Sequence, residues 1–210
     1  MSKLTFIIPS IGRDTLENTI QSLENQTNDN WNAIIIFDGC EPTIKNTNDK
    51  IKIMQIEKIG GILCYNAAGA VRNEGIKCAT TDWIAFLDDD DTIASNYVET
   101  FYNEIQEFNN IDVVIFRMVY KCNTILPVLY ETNIRCGYIG ISFAMKKSIF
   151  DSGINFNPGG CEDYDLLGQI LNNNYKIMIS PYIRYFVRCS EHIHIEYTNN
   201  NVIGNRAFIN

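Results

Sequence analysis

Apolar residues in this chain fall into short blocks, each cut off by a polar or glycine-containing turn. Leu4 to Pro9 reads L-T-F-I-I-P and stops at Ser10 and Gly12. Trp31 to Phe37 carries N-A-I-I-I-F and stops at Asp38-Gly39, and Trp83 to Leu87, W-I-A-F-L, runs into Asp88-Asp89-Asp90-Asp91. Unbroken apolar runs of this length predict strands buried on both faces. Ile51 to Ile56 and Ile111 to Tyr120 read as further strands. Gly137 to Met145, Tyr175 to Ile179 and Ile183 to Arg188 are strand-like as well.

Between these blocks the period changes. Leu16, Ile20 and Leu23 recur at helical spacing, with Asp14 placed to cap them. Helices are predicted over about Asn66 to Cys78, Asn96 to Phe108 and Glu162 to Leu171, with a turn of helix at Lys146 to Ser152. Pro158-Gly159-Gly160 is a loop. The Asn-rich stretch from Thr198 to Asn210 is expected to be mobile or loosely packed. Strands alternating with helices imply a single α/β domain, a Rossmann-like, mostly parallel sheet flanked by helices. Ligands of such sheets bind beyond the carboxyl ends of the strands. Pro9-Ser10, Asp38-Gly39 and the four aspartates all fall at such ends, which makes that edge a candidate nucleotide pocket.

Composition narrows the partners. The 210 residues are 46% hydrophobic, enough for a core without staples, and the formal net charge is −8. An acidic chain is a poor general binder of nucleic acid, which wants a basic face. It still accommodates one phosphorylated ligand if a cation bridges acid to phosphate. The seven cysteines include no C-x-x-C pair, so reduced thiols in a cytoplasmic protein are expected rather than a disulfide framework or a zinc site. The start of the chain lacks the character of a signal peptide, and no apolar run is long enough to span a membrane. Neither an anchor nor a second catalytic module is expected.

The aspartate run is the sharpest chemical feature. Adjacent acids repel, and stability alone gives no reason to gather four of them behind a buried strand. A hard divalent cation, Mn²⁺ or Mg²⁺, held by carboxylates and substrate phosphates would supply one. The competing reading is a solvated acidic turn. Glu162-Asp163 opens a helix, where acids are favoured by the dipole. The pair also offers a carboxylate to deprotonate a hydroxyl. Arg72-Asn73 either orients a ligand or caps and pairs on the surface. His192 and His194, the only histidines, are either structural or placed near a metal.

Taken in order, L-T-F-I-I-P-S, I-I-I-F-D-G, V-R-N-E-G-I, W-I-A-F-L-D-D-D-D and G-G-C-E-D-Y-D-L resemble the GT-A fold glycosyltransferases of family 2, from about Leu4 to Arg188. The resemblance implies an inverting, metal-dependent transfer of a sugar, hexosyl or N-acetylhexosaminyl, from a nucleotide-diphosphate donor, a UDP-sugar above all. The acceptor hydroxyl would belong to a glycan, a lipid-linked sugar or a protein. Pro9 and Ser10 would line the nucleotide pocket and Asp38 would read the uracil. Arg72 and Asn73 would lie near the donor. Asp88 and Asp90 would form the D-x-D pair, with Asp90 the direct metal ligand, Asp88 nearer the ribose or sugar and Asp89 beside the donor. His192 would be a further metal ligand. Asp163 would be the catalytic base and Glu162 would shape the acceptor site. On this reading residues 1–91 bind the nucleotide-sugar, 92–190 bind the acceptor and catalyse, and 191–210 form a tail. The chain departs from the family pattern at Phe37, where an acid is common, at Val71 in place of alanine, and in the late spacing of its histidines. A nucleotidyltransferase and a non-catalytic relative are the rival readings. Ser10-Ile11-Gly12-Arg13 is not the glycine-rich basic loop that the nucleotidyltransferase needs.

Overall fold

The computed structural model describes residues 4–45, 48–59, 68–188 and 204–210. Its strands are β1 (Leu4–Ser10), β2 (Trp31–Asp38), β3 (Ile51–Ile56), β4 (Trp83–Phe86), β5 (Asp91–Ile93), β6 (Val113–Tyr120), β7 (Thr124–Leu126), β8 (Phe143–Lys146), β9 (Ile177–Val187) and β10 (Ala207–Ile209). The helices are α1 (Leu16–Glu24), α2 (Ala68–Cys78), α3 (Tyr97–Glu107), α4 (Lys147–Asp151) and α5 (Glu162–Asn172). One sheet runs in the order β10-β9-β6-β8-β4-β1-β2-β3, with β5 on β9 and β7 on β6. β1, β2, β3 and β4 are parallel, β8 is inserted antiparallel between β4 and β6, and β6 and β9 are parallel.

The apolar blocks become the sheet's centre for the reason their pattern implies. All seven residues of β1 are buried, because β2 and β4 pair with it on either side and helices cover its faces. That neighbourhood brings the carboxyl ends of β2, β1 and β4 together, so Asp38, Ser10 and the aspartate run share one edge. Phe37, where the family often has an acid, lies wholly in the core.

Several local expectations are corrected. α1 is capped at Thr15, not Asp14, and no side chain caps it. The predicted strand at Gly137 to Met145 is realised only at Phe143–Lys146, since Gly137 turns the chain with a φ of 78°. The two strands expected between Tyr175 and Arg188 are one strand, β9, which runs through Pro181. Its pairing with β6 shifts register between Ile115↔Ile179 and Arg117↔Ile183. Pro181 therefore falls in a bulge, where its missing N–H breaks no ladder. The described end of the tail is anchored, not loose. β10 pairs with β9, Phe208 packs on Phe108 with centroids 5.3 Å apart, and Arg206 pairs with buried Glu104. No helix among the described residues is long and apolar enough to cross a membrane.

Candidate active site

The four aspartates do not act alike. Asp89 turns inward and is 3% exposed. Its carboxylate accepts hydrogen bonds from the Ser10 hydroxyl at 2.8 Å and the Ile11 N–H at 3.2 Å, and pairs with Arg13 at 2.8 Å. Thr15, just before α1, and Thr19 on α1 donate to the backbone oxygens of Asp89 and Asp91 at 2.9 and 2.7 Å. Asp89 and Ser10, expected among the donor contacts, thus fasten the loop after β1 to the loop after β4. Pro9 lies directly before this clasp, within β1.

Asp91 is the second buried acid of the run. It accepts the Tyr185 hydroxyl at 2.8 Å and the Arg188 N–H at 2.9 Å. Arg188 adopts a φ of 45° there. Burial pushes the Asp91 carboxyl up to about 7, and the charges of Asp88 and Asp90 add to this against the two hydrogen bonds. Asp88 and Asp90 keep the more accessible side chains of the run. Asp88 pairs with Arg72 at 2.5 Å, and Asp90 with Arg13 at 3.0 Å and Arg188 at 2.7 Å.

One oxygen from each of Asp88, Asp90 and Asp91 lies within 4.8 Å of the others. Three converging carboxylates form an all-oxygen donor set, which fits a hard divalent cation once it competes with the arginines that now hold Asp88 and Asp90. Asp91 was not singled out by the sequence as a ligand. His192, which was, lies outside the described residues.

The raised Asp91 has a consequence for stability. An unfolded aspartate titrates near 3.9. Between that value and about 7 the folded chain holds a proton that the unfolded chain has released. This contribution is complete below the unfolded value and is lost as pH rises through 7. In chelator, stability is expected to fall by on the order of 2–4 kcal/mol from pH 5 to pH 8. Denaturant midpoints will show this, and Asp91→Asn is expected to flatten the slope. An unaltered slope in Asp91→Asn would remove the assignment.

Arg72, on α2, joins the acidic turn to the other half of the molecule. It is 3% exposed, and its two terminal nitrogens reach Asp88 Oδ1 and Glu162 Oε1, both at 2.5 Å. Glu162, the first residue of α5, also accepts the Gly69 N–H at 2.8 Å. A side chain at residue 69 would collide with Glu162 and Phe156, so glycine permits this approach. Burial holds Glu162 above the usual carboxylate range, against the pull of Arg72 and the Gly69 N–H. The Asn73 amide donates to Phe156 O at 2.9 Å and accepts from Phe156 N at 3.1 Å, and the Phe156 ring lies 5.5 Å from the Arg72 guanidinium. Asn73 therefore positions the ring that flanks Arg72.

Asp163 follows Glu162 on the first turn of α5. Its Oδ1 accepts the Tyr164 N–H at 2.8 Å, and Oδ2 looks toward Gly140. Burial raises its pKa, opposed by the Tyr164 N–H and the Arg72 charge. Asp38, at the end of β2, is 5% exposed and accepts the Ile59 N–H at 2.7 Å. Gly39 follows at a φ of 70°, against Lys58, a conformation glycine adopts without strain.

A mostly parallel sheet whose edge carries an acidic turn, tied through one arginine to a carboxylate pair on a facing helix, has the architecture of the GT-A fold. The model of Glycosyl transferase family 2 matches residues 5–161, and the chain belongs to that family. The poly(ribitol-phosphate) beta-N-acetylglucosaminyltransferase TarP of Staphylococcus aureus is 31% identical over 124 residues, which is 55% of this chain and 36% of TarP. The UDP-Glc:alpha-D-GlcNAc-diphosphoundecaprenol beta-1,3-glucosyltransferase WfaP of Escherichia coli is 39% identical over 79 residues, 38% of this chain and 31% of WfaP. S. aureus TarS residues 1–349, in complex with UDP-GlcNAc, superposes with a TM-score of 0.68 at 17% identity, over 92% of this chain and 60% of that 1–349 chain. The chain thus spans about a third of the length of TarP and of WfaP.

Proposed function

We propose that this chain is the catalytic domain of an inverting, metal-dependent glycosyltransferase that moves a sugar from a UDP-sugar to an acceptor hydroxyl. The observation that carries this reading is the Arg72 bridge. It sets the acidic turn beside Glu162 and Asp163, so a donor gripped at the sheet edge would present its anomeric carbon toward α5. The UDP-GlcNAc bound in the TarS complex and the UDP-Glc in the name of WfaP support UDP as the nucleotide.

Roles follow from placement. Asp38 reads the base at the end of β2, and the β1 end at Pro9 and Ser10 shapes the pocket beneath the nucleotide. A divalent cation held by Asp88 and Asp90, with Asp91 behind them, would offset the charge growing on the leaving diphosphate. Asp163 takes the acceptor proton on its carboxylate as the hydroxyl oxygen attacks the face opposite the leaving group. Glu162 orients the acceptor side and is itself held by Arg72. Arg13 is committed to Asp89 and Asp90, which leaves no free cation in that loop for a triphosphate and weighs against nucleotidyl transfer.

A thermal-shift panel of UDP-, GDP-, CMP- and dTDP-sugars with and without Mn²⁺ tests the reading. Ligand at 100 times its dissociation constant adds about 2.7 kcal/mol of stability, and a Mn²⁺-dependent shift with a UDP-sugar is expected. No shift with any donor overturns the proposal. In Asp90→Ala the Mn²⁺-dependent part of the shift is expected to vanish; donor binding that still responds to Mn²⁺ removes Asp90 as the ligand.

A further inference from the structure

Two cysteines that no motif connects meet beside the proposed base. The sulfurs of Cys136 and Cys161 stand 2.8 Å apart and both are free thiols. A bonded pair sits near 2.05 Å, so a shift of about 0.8 Å closes the gap. Cys161 caps α5, two residues before Asp163. Cys136 belongs to the segment between β7 and β8, which also carries Gly140, the residue facing Asp163 Oδ2. A bond between the two sulfurs would therefore lock this segment in place against Asp163.

We propose that Cys136 and Cys161 form a reversible disulfide that closes the acceptor side of the site. The consequence for turnover rests on the glycosyltransferase reading; the bond itself does not. Cys136 is the exposed partner and meets the oxidant, a small-molecule disulfide such as oxidised glutathione. Its thiolate attacks one sulfur of the oxidant, forming a mixed disulfide and releasing one thiolate. The Cys161 sulfur then attacks Cys136 and expels the second. The two protons lost by the cysteines end on the two released thiols, and the oxidant gains the two electrons. Cys161 is held up to about 11 by its contact with Cys136 and by the nearby Asp163 and Asp165 carboxylates. Cys161 thus rests as the thiol, and its attack follows the engagement of Cys136.

The test uses the full chain equilibrated with reduced and oxidised glutathione, followed by alkylation and peptide mapping. The expected result is a loss of about 2 Da and a peptide linking residues 136 and 161, absent in Cys136→Ser and Cys161→Ser. A chain in which both residues remain alkylated, or in which they pair with other cysteines instead, overturns the proposal whether or not the protein transfers sugar. Oxidation is further expected to lower wild-type turnover about tenfold or more, with recovery in dithiothreitol and no response in Cys136→Ser. Donor-induced thermal shift should be unchanged. A linked chain that turns over as fast as the reduced one overturns the closure. A chain without transferase activity in either state leaves the mapped bond standing and refutes the transferase reading together with the closure.

Discussion

Asp163→Asn is expected to lower turnover about 10²–10⁴-fold while the Mn²⁺-dependent donor shift stays at its wild-type size. The substitution keeps the shape of the side chain and its place on the first turn of α5, where the Tyr164 N–H meets Oδ1. What it removes is a carboxylate able to accept a proton at Oδ2. Burial raises the Asp163 pKa, so kcat/KM should climb with pH through a value above the ordinary carboxylate range, because the base works only when deprotonated. Glu162 is raised as well, and the variant separates the two: an acid limb owed to Asp163 disappears in Asp163→Asn. Wild-type turnover in this variant would falsify the role. An equal fall in donor affinity would instead place Asp163 in the donor pocket.

The parts of this site that could be read from the chain are those written in contiguous residues. Buried runs at Leu4, Trp31 and Trp83, alternating with helices, predict parallel strands with Ser10, Asp38 and Asp88 at one edge; that the three strands adjoin is seen only in the fold. Glu162-Asp163 at a helix start was equally visible. The sequence did not show how the acids divide their work. Asp89 and Asp91 are buried and committed to Ser10, Arg13, Tyr185 and Arg188, partners up to 97 positions away in the chain. Such pairings depend on how β9 runs beside β6, and a three-residue strand such as β5 that begins inside an acidic run leaves no periodic trace. The pattern divides β9 in two for a related reason. Pro181 argues against a strand when read locally, and only its position opposite a register shift makes it tolerable. Cys136 and Cys161 lie 25 residues apart without a motif, so nothing short of the fold brings them together.

Arg72→Met is expected to be the most destabilising single change at the site. The side chain is buried and spans two acids, Asp88 and Glu162, and its charge is held more firmly than usual by both of them, against burial. Removing one partner of a buried ion pair leaves an uncompensated charge, at a cost of about 3–5 kcal/mol, or roughly 10 °C in Tm for a chain of this size. The half-exposed Asp88 can turn to water, so most of the loss should come from Glu162, which is also tied to the Gly69 N–H. Neutralising that acid in Arg72→Met with Glu162→Gln should therefore return part of the stability. Arg72→Lys keeps the charge, but one ammonium cannot reproduce the two-nitrogen fork. It should fold better than Arg72→Met while turning over more slowly than wild type, since the distance between the acidic turn and α5 is no longer fixed. If Arg72→Met unfolds within about 1 kcal/mol of wild type, well short of the buried-pair cost, the bridge does not hold the two halves together. Its place as the geometric basis for transfer from the sheet edge to Asp163 then fails with it.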